Sequence, residues 1–209
     1  MKFLLIFTLT ALAAAKKADP AKTVDAVLAS YREAQGVSSP VIKTVKQEIM
    51  GTETTSDGKF FFSKGKLRLE FKEPEKSLLV FDGKYVWLET YLDEKTVQVA
   101  KMRSNDLKRS KSVLTAVFDK KNVLRDFKNV KTSEKDGRGT YAFEPKNKKT
   151  ENEVMFLEVA LKGKELEKLT YKDNLENQVS FEFKKITRGE VAPEKFSYKP
   201  PKKAEVTEY

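Results

Sequence analysis

Two residue types are missing altogether from this 209-residue chain: it has no cysteine and no histidine. Without cysteine there is no disulfide, no thiolate metal site, no cysteine nucleophile and no acceptor for N-terminal lipidation. Without histidine the commonest general base and the commonest zinc ligand are gone, which removes most hydrolase constellations. Long apolar runs are scarce as well. The one at the amino terminus, MKFLLIFTLTALAAAKKADP, has Lys2, an apolar stretch from Phe3 and small residues at Ala13 and Ala15, the layout of a secretory signal removed after residue 15. It is far shorter than the roughly 20 apolar residues of a membrane span, and no later segment comes near. No internal repeat, low-complexity segment or domain boundary stands out, so residues 16–209 are expected to form one exported, soluble domain.

Charge is abundant. The 41 Lys and Arg outnumber the 31 Asp and Glu for a formal charge of +10, and loss of Lys2 with the signal leaves +9. Lys108, Arg109 and Lys111 form one basic cluster and the KPPKK stretch another. Each reads first as a solvated face, and second as a means of attraction to anionic lipid or acidic partner surfaces. Nucleic acid has no recognition motif here.

The hydrophobic period changes three times along the chain. In TVDAVLASYREAQG, Val24, Val27, Leu28 and Tyr31 recur at helical spacing, so one amphipathic helix is expected from Thr23 to a stop at Gly36. From Val41 to Met102 the period is two, with hairpin punctuation at Asp57-Gly58, Lys64-Gly65 and Asp82-Gly83, giving about six strands. Residues 104–126 revert to a helical stripe through Leu107, Val113, Leu114, Val117, Phe118 and Leu124. From Phe127 about five more strands follow, with turns at Asp136-Gly137, Lys162-Gly163 and Asp173-Asn174, and PPKKAEVTEY reads as a tail. Strands, helices and strands again, behind a leading helix, imply a mainly β protein: one curved antiparallel sheet of about 11 strands with helices on one face.

Alternation within the strands sorts the apolar residues onto faces. Leu67, Leu69 and Phe71 share one, as do Leu79 and Phe81, then Met155, Leu157, Val159 and Leu161, and finally Val179, Phe181 and Phe183, opposite mostly Lys, Arg, Glu and Ser. Most such residues end in ordinary core. Two or three short helices, however, fall short of covering some eleven strands, and such a sheet either closes into a barrel or leaves an apolar hollow. Hollows of this kind hold lipids or other apolar ligands. Among the remaining signals, Phe60-Phe61-Phe62 must place at least one ring on the outer face, and the pair Asp93-Glu94 is a very weak glycosidase candidate.

The run GKLRLEFKEPEKSLLVFDGKYVW, Gly65 to Trp87, resembles the signature of LolA-like periplasmic outer-membrane lipoprotein carriers, and FSYKPPKKAEV, Phe196 to Val206, is similar to their closing segment. The resemblance covers essentially all of residues 16–209. It implies an unclosed β half-barrel with a helical lid over a hydrophobic cavity, no enzymatic activity and no cofactor. The cavity would take the acyl chains of a lipoprotein released by an inner-membrane ABC transporter. A monomeric carrier would cross the periplasm with it, handing over in many lineages to an outer-membrane LolB-type receptor. Cavity residues expected on this reading are Leu67, Leu69, Phe71, Leu79, Phe81, Trp87, Met155, Leu157, Val159, Phe181 and Phe183, with Leu114, Val117 and Phe118 from the lid. The chain departs from the family pattern at Ser63-Lys64, where many members carry an Arg-Pro pair whose Arg holds the lid closed; Lys64 and Arg68 are the candidate replacements.

Free-energy magnitudes constrain such a carrier. At about 0.8 kcal/mol per methylene, three acyl chains hide on the order of 30 kcal/mol of apolar exposure. A site recovering all of it would pass the practical ceiling of about 20 kcal/mol and never release its load. A loose cavity is therefore expected, with lid helices that pack on the sheet when it is empty. Two other functions compete with it: an exported lipid- or lipoprotein-sensing module of the same half-barrel acting in envelope signalling, and an enzyme on this fold.

Overall fold

A computed structural model describes residues 19–93, 96–103, 118, 123–148, 154–173 and 175–209. The signal segment 1–15 and the helical stripe at residues 104–117 and 119–122, with Leu114 and Val117, lie outside the described residues. So does the Lys108, Arg109 and Lys111 cluster.

The leading helix, α1, spans Pro20–Glu33 and begins three residues before the expected start. Asp19 caps it by accepting a hydrogen bond from the Ala21 amide at 3.0 Å, and Pro20 occupies the first turn, where its missing N–H costs nothing. The helix ends before Gly36. That glycine has a different job: a Cβ there would lie 2.5 Å from the Gly189 carbonyl oxygen, so it permits two backbone segments to touch.

The strands are β1 (Val37–Gln47), β2 (Thr52–Ser63), β3 (Lys66–Phe71), β4 (Ser77–Phe81), β5 (Tyr85–Tyr91), β6 (Val97–Arg103), β7 (Phe127–Lys135), β8 (Arg138–Pro145), β9 (Phe156–Lys162), β10 (Glu165–Lys172), β11 (Gln178–Phe183), β12 (Thr187–Arg188) and β13 (Glu205–Glu208). They form a single unclosed sheet in the order β13-β6-β5-β4-β3-β2-β1-β11-β10-β9-β8-β7, with β12 also paired to β1. Two meanders are thus joined by the antiparallel contact of β1 with β11, in which Val41 faces Phe183 and Val45 faces Val179. The expected half-barrel is present.

Three details differ from the sequence reading. Asp57-Gly58 is not a turn but the middle of β2; the β1–β2 turn is at residues 48–51. Gly58 is there because a Cβ would sit 2.5 Å from the Phe71 ring and 2.4 Å from the Glu70 carbonyl oxygen. By contrast Lys64-Gly65 and Asp136-Gly137 have positive φ at both residues, the tight turn that matches strand twist. The strand count is thirteen rather than eleven because the chain adds the short β12 and because the apparent tail supplies β13, which pairs in parallel with β6 from Glu205 to Glu208.

The sheet carries side chains on two faces, and both are covered in part. On the concave face α1 buries Val24, Val27, Leu28 and Tyr31 against the strands. Tyr31 fixes the helix: its hydroxyl accepts from the Leu166 amide at 3.0 Å and donates to Glu165 at 3.0 Å, while Arg188 stacks on its ring and pairs with Glu165. Burial pushes this phenol well above its ordinary pKa.

The convex face is crossed by the C-terminal segment. It leaves β12, hydrogen bonds at Gly189 to the Gly36 carbonyl, buries Phe196 and ends at β13. Among the described residues no helix is long and apolar enough to cross a membrane.

Candidate functional site

Register fixes which residues line the concave wall, because directly paired residues in an antiparallel sheet share a face. Phe60 pairs with Leu69 and Phe62 with Leu67; Leu69 pairs with Leu79, and Leu67 with Phe81. On the other side of β1, Leu169 pairs with Phe181, Val159 with Leu169, Tyr141 with Val159 and Phe143 with Leu157. The result is a continuous apolar wall running from β4 to β8. Leu67, Leu69, Phe71, Leu157, Val159, Phe181 and Phe183 are buried in it, and Leu79 and Phe81 are half-buried beside it.

Phe118 is the one described residue of the expected lid, and it is buried against this wall. Its ring centre lies 5.1 Å from Phe60, 5.4 Å from Phe62, 6.0 Å from Tyr31 and 6.5 Å from Phe183. One ring therefore links helix, β2 and β11. Phe60 and Phe62 were not among the expected lining residues, although their signal was available: carrying the face of Leu67 back across the two-residue Lys64-Gly65 turn puts both on the concave side.

Two expected cavity residues lie elsewhere. Trp87 pairs with Val80 and Lys101, which places it on the convex face. There its indole N–H donates to Asp82 at 3.1 Å and its ring packs 5.2 Å from Tyr198. Alternation within β5 could not reveal this, since Val86 and Leu88 are also apolar and take the inward positions instead. Met155 precedes β9 and is exposed at the sheet end, so it is not part of the buried wall.

Arg68 also faces outward, bonding Glu70 at 2.5 Å and the Lys195 carbonyl at 3.2 Å, and Lys64 sits exposed in its turn. Arg68 is therefore not placed to latch a concave-side lid. Asp93 accepts from the Thr96 amide at 2.8 Å and closes the β5–β6 turn, while Glu94 lies outside the described residues.

Phe61 is the ring of the Phe60–Phe62 run that points outward, and Lys195 covers it at 5.1 Å. A polar cluster holds the C-terminal segment, a strap across the convex face, elsewhere on the sheet. Glu89 is buried and accepts from Tyr91 at 2.6 Å and Tyr198 at 2.5 Å. The hydrogen bond to Glu89 pushes the Tyr91 phenol up to about 12, and burial together with the same carboxylate drives Tyr198 higher still.

A buried apolar wall on an unclosed sheet, with an aromatic ring seated over it, is suited to sheltering apolar matter. The family model described as "Outer membrane lipoprotein carrier protein LolA" matches residues 40–199, from β1 to the strap. The chain belongs to the LolA family. Its fold is shared with an uncharacterized conserved protein from Thermus thermophilus, 13% identical, with a TM-score of 0.54 over 91% of this chain and 100% of that one. A DUF1329 family protein from Desulfovibrio piger is 12% identical, with a TM-score of 0.45 over 87% and 98%. A LolA superfamily protein from Nitrosomonas europaea is 10% identical, with a TM-score of 0.40 over 84% and 97%. No curated protein is matched by the sequence. LolA-like family members are carrier or binding proteins.

Proposed function

We propose that this protein is an exported carrier that shelters the acyl chains of lipoproteins against the concave wall and moves them from the inner to the outer membrane of the cell envelope. The observation that carries the reading is the seating of Phe118. The family's matched region supplies an apolar wall through Phe60, Phe62, Leu67, Leu69, Phe181 and Phe183, and Phe118 covers it through contacts with other rings. Withdrawing such a cover strands no hydrogen-bonding group of those rings, so an acyl chain can replace it contact for contact.

In this reading the half-buried Leu79 and Phe81 extend the wall for longer chains, and the segment bearing Leu114, Val117 and Phe118 is the lid. Residues 1–15 act as a cleaved signal, and the working compartment is the periplasm. An inner-membrane lipoprotein-releasing ABC transporter loads the carrier, and an outer-membrane LolB-type receptor or the membrane itself unloads it. No cofactor takes part, and the carrier works as a monomer. The test is native mass spectrometry of the exported protein mixed with a triacylated lipoprotein and, separately, with its unacylated form. A one-to-one complex with the acylated form alone is the expected result. Binding to neither overturns the carrier reading and leaves a sensor, recognised by a signalling protein among its partners, as the better account.

A further inference from the structure

The concave wall contains one feature that a purely apolar cavity does not need. The inward positions of β1 are Val37, Ser39, Val41, Lys43 and Val45, as their pairing with Phe62, Phe60, Gly58, Ser56 and Thr54 requires. Lys43 pairs across the other edge with Phe181. Arg188 also shares this face through its pairing with Val37, but it is taken up by Tyr31 and Glu165 beneath the helix. Among the described residues, Lys43 is the cation set among the rings of the wall.

Its side chain is only 13% exposed, and its ammonium lies 4.9 Å over the Phe71 ring and 2.9 Å from Glu75. Phe71 in turn lies 6.0 Å from Phe181, and Tyr171 stacks on Phe181 at 6.5 Å. A row of rings therefore starts at the cation and runs along the wall. Glu75 belongs to the β3–β4 loop and its side chain is 40% exposed, so it is the half of the pair free to leave.

Burying an ammonium against apolar neighbours is costly unless an acceptor stays with it. Glu75 fills that role from the solvent side. An amphiphile lying along Phe71, Phe181 and Tyr171 would bring its own oxygen to the same spot.

We infer that Lys43 is a head-group site: it donates to the carbonyl or carboxylate oxygen at the end of an acyl chain, which takes the place of Glu75. The inference rests on the acyl-binding reading above and adds a polarity to it, chain toward the Phe181 row and oxygen-bearing head at Lys43. Two sources share this chemistry, an esterified chain and a free fatty acid.

The test uses three amphiphiles that share a sixteen-carbon chain and differ only in the head: hexadecanoate, its methyl ester and hexadecylamine. Each competes with an uncharged fluorescent alkyl probe for the full exported chain. The wild type should prefer hexadecanoate over hexadecylamine by about tenfold, the worth of one charge-assisted hydrogen bond in a half-buried setting. Lys43→Met should level the two while keeping affinity for the chain, and Glu75→Gln, which removes the competing carboxylate without touching the wall, should widen the preference.

An ester that binds like the acid identifies the acceptor as the carbonyl of an esterified chain. One that binds like the amine identifies it as a free carboxylate. An unchanged preference in Lys43→Met, or none in the wild type, overturns the inference while leaving acyl binding intact. Failure of all three amphiphiles to displace the probe overturns the acyl-binding reading itself.

Discussion

Strand β2 is covered on both faces, by Phe118 inside and by the C-terminal segment outside, and the two covers differ in chemistry. On the concave side Phe118 meets Phe60, Phe62 and Phe183 through ring contacts. On the convex side the C-terminal strap is held by Tyr198 on Glu89, the Lys195 carbonyl on Arg68, and a closing parallel strand. Removing an apolar cover costs area that another apolar body can restore. Removing the strap leaves the buried Glu89 carboxylate short of a donor, a loss that no acyl chain makes good. On the proposed carrier reading, the concave side is therefore the one that exchanges its contents.

The largest effect that can test this contrast is at the wall itself. Phe60→Ala removes a fully buried ring in contact with both Phe118 and Phe183, and should cost about 3–5 kcal/mol in urea unfolding. Phe118→Ala should cost about 2–4 kcal/mol in the same measurement yet tighten binding of an acylated ligand, because the ligand no longer competes with the ring. Weaker binding in that variant would mean that the ring is a permanent part of the wall.

Tyr198→Phe keeps the ring against Trp87 but deletes one donor to Glu89, and about 1–2 kcal/mol should be lost with acyl binding unchanged. Loss of acyl binding there would erase the distinction between the faces. Smallest of all, Glu208→Gln breaks a solvent-facing pair with Lys101 and should change stability by no more than about 0.5 kcal/mol.

The pH dependence sharpens the same point. Tyr91, Tyr141 and Tyr171 are raised to about 12 in the folded protein, and Tyr31 and Tyr198 are raised further. A raised folded pKa means that the unfolded chain gives up its proton first. The stability these phenols contribute is therefore complete below about pH 10 and declines as pH rises toward 12. Phenolate absorbance should appear together with loss of circular dichroism in that window. Phenolate that develops in a still-folded protein would show these hydroxyls to be solvated.

Much of the fold and part of the wall are legible in the chain itself. The switch from helical to alternating period, the tight turns at Lys64-Gly65 and Asp136-Gly137 and the apolar sets on β3, β9 and β11 are written in near neighbours. Asp57-Gly58 misleads because the same dipeptide that makes a turn also makes room, and only the Phe71 ring from the next strand distinguishes them. Lys43 is invisible at that level because one lysine among many charged residues has no sequence mark of pointing inward.

Local pattern by itself determined most of the strands and their two-sided character, since alternation and turn chemistry act between residues a few positions apart. Only the tertiary structure decided that Trp87 faces outward, that the Pro-Pro tail is a strap ending in a parallel strand, and that β1 joins the two meanders through β11. Those outcomes depend on pairing between segments up to about 140 residues apart. A strand that is apolar on both sides carries no instruction about which side is inside until its neighbours are in place.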